Sequence, residues 1–253
     1  MTKIITRTMS AFAGCSFTAA VALQDTAKES GKLPTAEEVM HKAEQAMKQI
    51  KIVQYRFAQR GHGEAAEAPP RLEGRVVLSG YRGHWVERFR VDAKVRKPGE
   101  SEPVNLVAGS DGDIIYLVDE KQKKVYADID PAVLGSQMFT ILETVVGAFV
   151  SPNAFEYEKK AERIELKETT KVGDDECHVL RFQLGGGVNE IVWFIAKKDG
   201  LPRRFDWIFK GPTGEPMGAS TVLTELRVNP TFDTNPFKLT VPEGFTKTDD
   251  FAP

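Results

Sequence analysis

The sequence predicts a mainly β protein of the α+β class: about ten short strands in an antiparallel meander, with one helix ahead of them and a helical insert among them. Three observations predict it. From residue 53 onward, apolar side chains recur at every second position in short runs, as half-buried strands require. Turn-forming Gly, Pro and Asp clusters separate the runs closely, leaving no room for the crossovers that parallel strands need. Helical spacing is confined to the stretch before the first run and to residues 132–150.

The chain opens with a three-part export pattern. Lys3 and Arg7 are followed by an uncharged stretch from Met9 to Ala22, ending in the A-x-A site Ala20-Val21-Ala22. Residues 1–22 read as a signal peptide, so the mature chain would begin at Leu23. Phe12-Ala13-Gly14-Cys15 offers an alternative, a lipobox in which Cys15 becomes lipidated. Residues 23–33 are small and polar and read as a flexible linker. Thr35-Ala36-Glu37-Glu38 is a capping box. Behind it Ala36, Val39, Met40, Ala43, Ala46, Met47 and Ile50 form one apolar stripe, a helix to about Gln49.

The strands follow in order. Val53–Phe57 alternates, residues 61–70 read as a loop, and Leu72–Leu78 surrounds Gly74. Trp85–Val95 is a long alternating run, and Val104–Val107 a short one. Ser110-Asp111-Gly112-Asp113 turns the chain into Ile114–Val118, and Lys124–Ala127 returns. Asp130-Pro131 stops the sheet. Ala132–Val150 is apolar almost all round, so it needs cover on several sides, as central core or as a lid over a cavity. Strands resume at Ala161–Thr169, Cys177–Leu184, Glu190–Ala196, Arg203–Phe209 and Thr221–Val228, followed by a proline-punctuated tail.

Composition narrows function mainly by exclusion. A hydrophobic share of 41% supplies a sizeable core, and a net charge of −2 offers no basic surface to nucleic acid. Two cysteines exclude a disulfide-dense scaffold, and a chain cleaved after Ala22 keeps Cys177 alone. His41, His62, His84 and His178 form no metal-binding spacing. Cys177-His178 lies on a strand, where neighbours point to opposite faces, so they cannot act as nucleophile and base, and Cys177 is read as a buried core residue. Gly185–Gly187 sits between strands as a hairpin, not a phosphate cradle. Glu73, Glu87 and Asp92 are read as solvated strand residues. No constellation supports an enzyme, and no cofactor or metal is called for.

Several segments, taken in order, resemble the LolA-like family of periplasmic lipoprotein carriers, within the LolA/LolB/RseB-type superfamily. These are the capped helix, Val53–Phe57, Leu72–Leu78 leading into Trp85–Phe89, and above all the hairpin Ser110–Asp119. Asp199-Gly200-Leu201-Pro202-Arg203-Arg204 and the terminal Asn235–Gly244 segment complete the resemblance, which covers residues 34–245. Residues 246–253 are then a C-terminal tail. The resemblance implies an unclosed, highly curved half-barrel whose concave apolar face is covered by the N-terminal helix and a central helical lid. It implies a non-enzymatic exported carrier, periplasmic and monomeric. Its partners would be an acyl chain, lipid or lipoprotein, with membrane-bound donor and acceptor proteins. The alternative is an envelope sensor or interaction domain using the same groove. The candidate liners are Tyr55, Phe57, Leu78, Trp85, Phe89, Met138, Leu142, Trp193 and Trp207. A slip of one residue in any strand exchanges its faces. One departure stands out: where the family carries a lid-latching arginine after the second strand, this chain has Gly80, with Arg82 nearby.

Overall fold

The computed structural model describes residues 33–62, 71–82, 85–96, 101–128, 149, 153–211 and 214–250, with His62, Tyr81, Arg82 and Trp85 described in backbone only. The export signal lies outside the described residues, as does the insert read over 132–150 apart from Phe149.

One helix, α1 (Ala36–Lys48), opens the described chain. The Thr35 hydroxyl accepts the Glu38 amide at 3.2 Å, and the Glu38 carboxylate accepts the Thr35 amide at 2.7 Å. Two orphan N–H groups of the first turn are thereby satisfied. Val39, Met40 and Ala43 are its buried stripe.

The strands are β1 (Ile52–His62), β2 (Leu72–Arg82), β3 (Trp85–Val95), β4 (Val104–Ser110), β5 (Ile115–Asp119), β6 (Lys124–Ala127), β7 (Arg163–Val172), β8 (Asp175–Leu184), β9 (Asn189–Ala196), β10 (Pro202–Lys210), β11 (Pro216–Val228) and β12 (Thr246–Thr248). They form a single twelve-stranded sheet in the order β12-β6-β5-β4-β3-β2-β1-β11-β10-β9-β8-β7. The two end strands do not pair, so the sheet is unclosed. Every pairing is antiparallel except that of β12 with β6. Two meanders are joined through the long-range pairing of β1 with β11.

Several strands run longer than their local alternation. β1 continues through Gln59, Arg60 and Gly61 because β11 supplies partners as far as Gly218. Beyond residue 245, Thr246–Thr248 joins the edge at β6, Thr246 opposite Lys124. The hairpin turns fall where the Gly and Asp clusters stand. Asp111 Oδ1 accepts the amides of Asp113 and Ile114 at 3.1 and 3.0 Å, which closes the β4–β5 turn. Gly74 marks a close approach of strands: a Cβ there would lie 2.2 Å from the Asp92 carbonyl oxygen.

The main core lies on the side of the sheet that α1 shares, here the helix side. Val53, Tyr55 and Phe57 of β1 meet Val76 and Leu78 of β2, Phe89 and Val91 of β3, Leu180 and Phe182 of β8, and Ile191 and Trp193 of β9. The far side of β8 and β9 has its own cluster of Cys177, Val179, Val192, Phe194 and Ala196.

Candidate functional site

Strand register brings six of the nine predicted liners to one face. Tyr55, Phe57, Leu78 and Phe89 are all buried on the helix side, and cross-strand pairing sets Leu78 opposite both Val53 and Phe89. Tyr55 is 0% exposed, its ring 5.5 Å from that of Phe149. Trp193 belongs to the same core. Trp207 shares its face, lying opposite Ile191, yet it is half-exposed. Trp85 pairs with Arg82 through the backbone, and Met138 and Leu142 lie outside the described residues.

The β8–β10 part of this face has a cover that sequence reasoning missed. The turn at residues 153–160 sets Phe155 against Phe182, with ring centroids at 6.0 Å, and edge-on to Trp193 at 5.5 Å. Phe155 holds φ at +61°, a left-handed backbone that costs a side chain about 1–3 kcal/mol and persists only where packing imposes it. Glu158, in the short 3-10 turn Glu158–Lys160, accepts the Trp193 indole N–H at 2.8 Å. Its carboxyl is held above the ordinary range by burial, opposed by hydrogen bonds from the backbone and from Trp193. Lys159 pairs with Glu44 of α1, tying the turn to the helix. Nothing in the local spacing of Phe155 and Glu158 singles them out.

Thr221 of β11 adds a polar point. It is 1% exposed, lies opposite Gln59 and Phe205, and its hydroxyl has no hydrogen-bond partner among the described residues. A buried hydroxyl without a partner is costly, so this is a spot suited to a polar atom of a ligand.

Toward the other end the helix side changes character. Ala108 and Tyr126 are buried, but Leu106, Ile115 and Leu117 around them are half-buried and Val104 is exposed. Gly80, where the resemblance would place a latching arginine, has φ +70°. An arginine there would strain the backbone, so no such latch is built at this position.

Over the middle strands the far side is polar. A groove of about 500 Å³ runs across β11, β1, β2, β3 and β4, lined by Arg56, Glu73, Arg75, Asp92, Lys94 and Asn105 among others. Asp92 is bound by Arg90 and Asn105 by Glu120, an ordinary solvated face. Cys177 and His178 point to opposite sides: Cys177 lies opposite Ala196 of the far-side cluster and His178 opposite Ile195 of the main core. Burial pushes the Cys177 thiol up, away from the thiolate a nucleophile needs. Among the described residues, no group of three or more His, Cys, Asp and Glu side chains is placed to hold a metal.

No protein-family model and no curated protein matches the chain. Solved structures do. LprF from Mycobacterium bovis matches at 10% identity over 80% of this chain and 97% of its own, with a TM-score of 0.49. MucB, in the Pseudomonas aeruginosa MucA/MucB complex, matches at 12% identity over 81% of this chain and 61% of its own, with a TM-score of 0.43. A LolA superfamily protein from Nitrosomonas europaea matches at 11% identity over 79% and 96%, with a TM-score of 0.32. The last is of the superfamily that the sequence motifs resemble. At these identities and scores the matches assign no ligand, and function has to be argued from the residues.

Proposed function

We propose that the chain is a non-enzymatic exported carrier that holds an acyl chain, free or on a lipid or lipoprotein, against the helix side of the sheet. The observation that carries this reading is the mismatch between that face and its helix. Twelve strands at about 4.8 Å spacing span roughly 50 Å. A helix of 13 residues is about 20 Å long and about 10 Å across. Among the described residues α1 is the only α-helix on this face and reaches across at most about four strands, while the apolar face extends from Leu180 on β8 to Tyr126 on β6. An acyl chain laid along such a face gains about 0.8 kcal/mol per methylene, with no need for catalysis. Tyr55, Phe57, Leu78, Trp85, Phe89, Met138, Leu142, Trp193 and Trp207 are the proposed liners, and the Thr221 hydroxyl is suited to a polar atom of the ligand. Export rests on the residue 1–22 pattern, and loading and release would involve membrane-bound donor and acceptor proteins.

The half-buried Leu106, Ile115 and Leu117 would suit an apolar protein segment as well. That supports the second reading, an envelope sensor or interaction domain using the same face. Native mass spectrometry of protein purified from its host's envelope separates the two. An added acyl-containing mass, displaced by a fluorescent fatty acid, is expected. Recovery without lipid, no fatty-acid binding, and one copurified protein would overturn the carrier in favour of the sensor.

A further inference from the structure

Strand register lays out the helix side of the sheet in rows. One row runs Trp193–Phe205–Thr221–Gln59–Leu72–Val95 across β9, β10, β11, β1, β2 and β3, each side chain opposite the next. Paired residues of antiparallel strands share a face, and the Trp193–Phe205 ring contact at 5.4 Å places this row against the main core. The flanking row toward the start of β1 runs Leu223–Phe57–Gly74–Ala93, and the row on the other side Trp207–Ala219–Gly61.

Indole N–H groups apart, these three rows hold two polar side chains, Thr221 and Gln59, and the two are neighbours. The Thr221 hydroxyl is 1% exposed and has no hydrogen-bond partner among the described residues, so the half-buried Gln59 amide beside it does not satisfy it. A hydroxyl left in that state is costly in an apolar face. Solvent is close: Trp207, one row or about 7 Å further along the strands, is half-exposed.

The charge pattern narrows what the pair can receive. No Lys, Arg or His stands in the three rows, and Glu158, which meets them at Trp193, is itself an acid. A carboxylate or phosphate drawn in here would be desolvated with no cation to pair with it. An uncharged carbonyl asks only for a donor. The Thr221 O–H and the Gln59 N–H groups are donors, and the Gln59 amide oxygen can accept from a ligand hydroxyl.

We infer that the face takes its acyl chain as an uncharged ester, in preference to the free fatty-acid anion, with the ester carbonyl at Thr221 and Gln59 and the hydrocarbon along the apolar rows. This assignment deepens the carrier reading and rests on it, by selecting among the acyl ligands that the reading allows.

The test is displacement of diphenylhexatriene, an uncharged hydrocarbon probe, from the mature protein at mildly alkaline pH by monooleoylglycerol or by oleate, each below its micellar range. The ester is expected to displace the probe at about a tenfold lower concentration than the carboxylate, a difference of the size of one hydrogen bond. Thr221→Val keeps the shape and removes the hydroxyl. It should bind the ester about tenfold more weakly, hold the probe like wild type, and unfold in urea no earlier than wild type, because a buried unpaired hydroxyl is gone. Thr221→Ser should keep the preference, and Gln59→Leu, at a half-buried position, should narrow it. Equal displacement by ester and carboxylate overturns the ester assignment and leaves the carrier standing, as does wild-type preference in folded Thr221→Val and Gln59→Leu proteins. A probe displaced by neither compound sinks the carrier reading and this assignment together. A diacylglyceryl lipopeptide that outcompetes monooleoylglycerol, with the same loss in Thr221→Val, supports the assignment with a lipoprotein as the source of the ester; the reverse order supports it with a free acylglycerol.

Discussion

The two ends of the helix side solve the same burial problem differently. Across β8–β10, Leu180, Phe182 and Trp193 are closed over by α1 and by the Phe155–Glu158 turn, so local elements seal the face. Across β4–β6, it is the far side that is sealed. Tyr116, Val118, Val125 and Ala127 are buried there, and Phe237 of the C-terminal segment lies with them, its carbonyl accepting the Tyr116 hydroxyl at 3.3 Å. Arg88 sits over the Phe237 ring at 5.3 Å. The helix side of those same strands keeps Leu106, Ile115 and Leu117 half-buried. The apolar layer thus changes sides along the sheet. Strand alternation sets which residues share a face, but the segment laid across that face decides whether it is core.

Removing the large side chain on which the Phe155–Glu158 turn rests is expected to have the largest effect. Trp193→Ala strips Phe155 and Phe205 of a ring partner and leaves the buried Glu158 carboxylate without its indole donor. A loss of about 3–5 kcal/mol is expected in urea melts. A loss below about 1 kcal/mol would mean that the turn does not seal this end. The comparison sharpens with matched leucines. Leu180→Ala in the sealed half should cost about 2–5 kcal/mol, and Leu117→Ala in the open half well under half of that, because its cavity opens to solvent. Equal losses would show Leu117 to be covered as completely as Leu180.

The smallest effect concerns pH. Glu158 has a folded-state pKa raised by burial, so the native protein holds a proton over a range where the unfolded chain has released it. Its contribution to stability is greatest below the ordinary glutamate range and falls as pH rises through the raised value. Glu158→Gln keeps an acceptor for Trp193 without the charge. The decline in the urea midpoint between mildly acidic and neutral pH should be shallower in this variant than in wild type. Parallel profiles would show that Glu158 does not titrate in its buried setting.

Much of this architecture is local, and the amino-acid sequence by itself determined it. The capping box set the start of α1, two-residue alternation located eleven of the strands within a few residues, and Gly and Asp clusters set the hairpin turns. The opposed faces of Cys177 and His178 followed from strand geometry alone. The common face of Tyr55, Phe57, Leu78, Phe89 and Trp193 was drawn from apolar content and resemblance, and strand register places it. Other features were decided only by contacts between residues far apart in the chain. The pairing of β1 with β11, and of β12 with β6, joins segments more than a hundred residues apart, and no period in either segment encodes its partner. Phe155, Glu158 and Phe237 stand in irregular, mixed-polarity stretches, and each gained its role from the ring or hydroxyl it meets. Trp207 and Trp193 look alike in sequence, each an indole in an alternating strand. One is sealed and the other exposed because burial depends on what crosses the face, and alternation records only which way a side chain points.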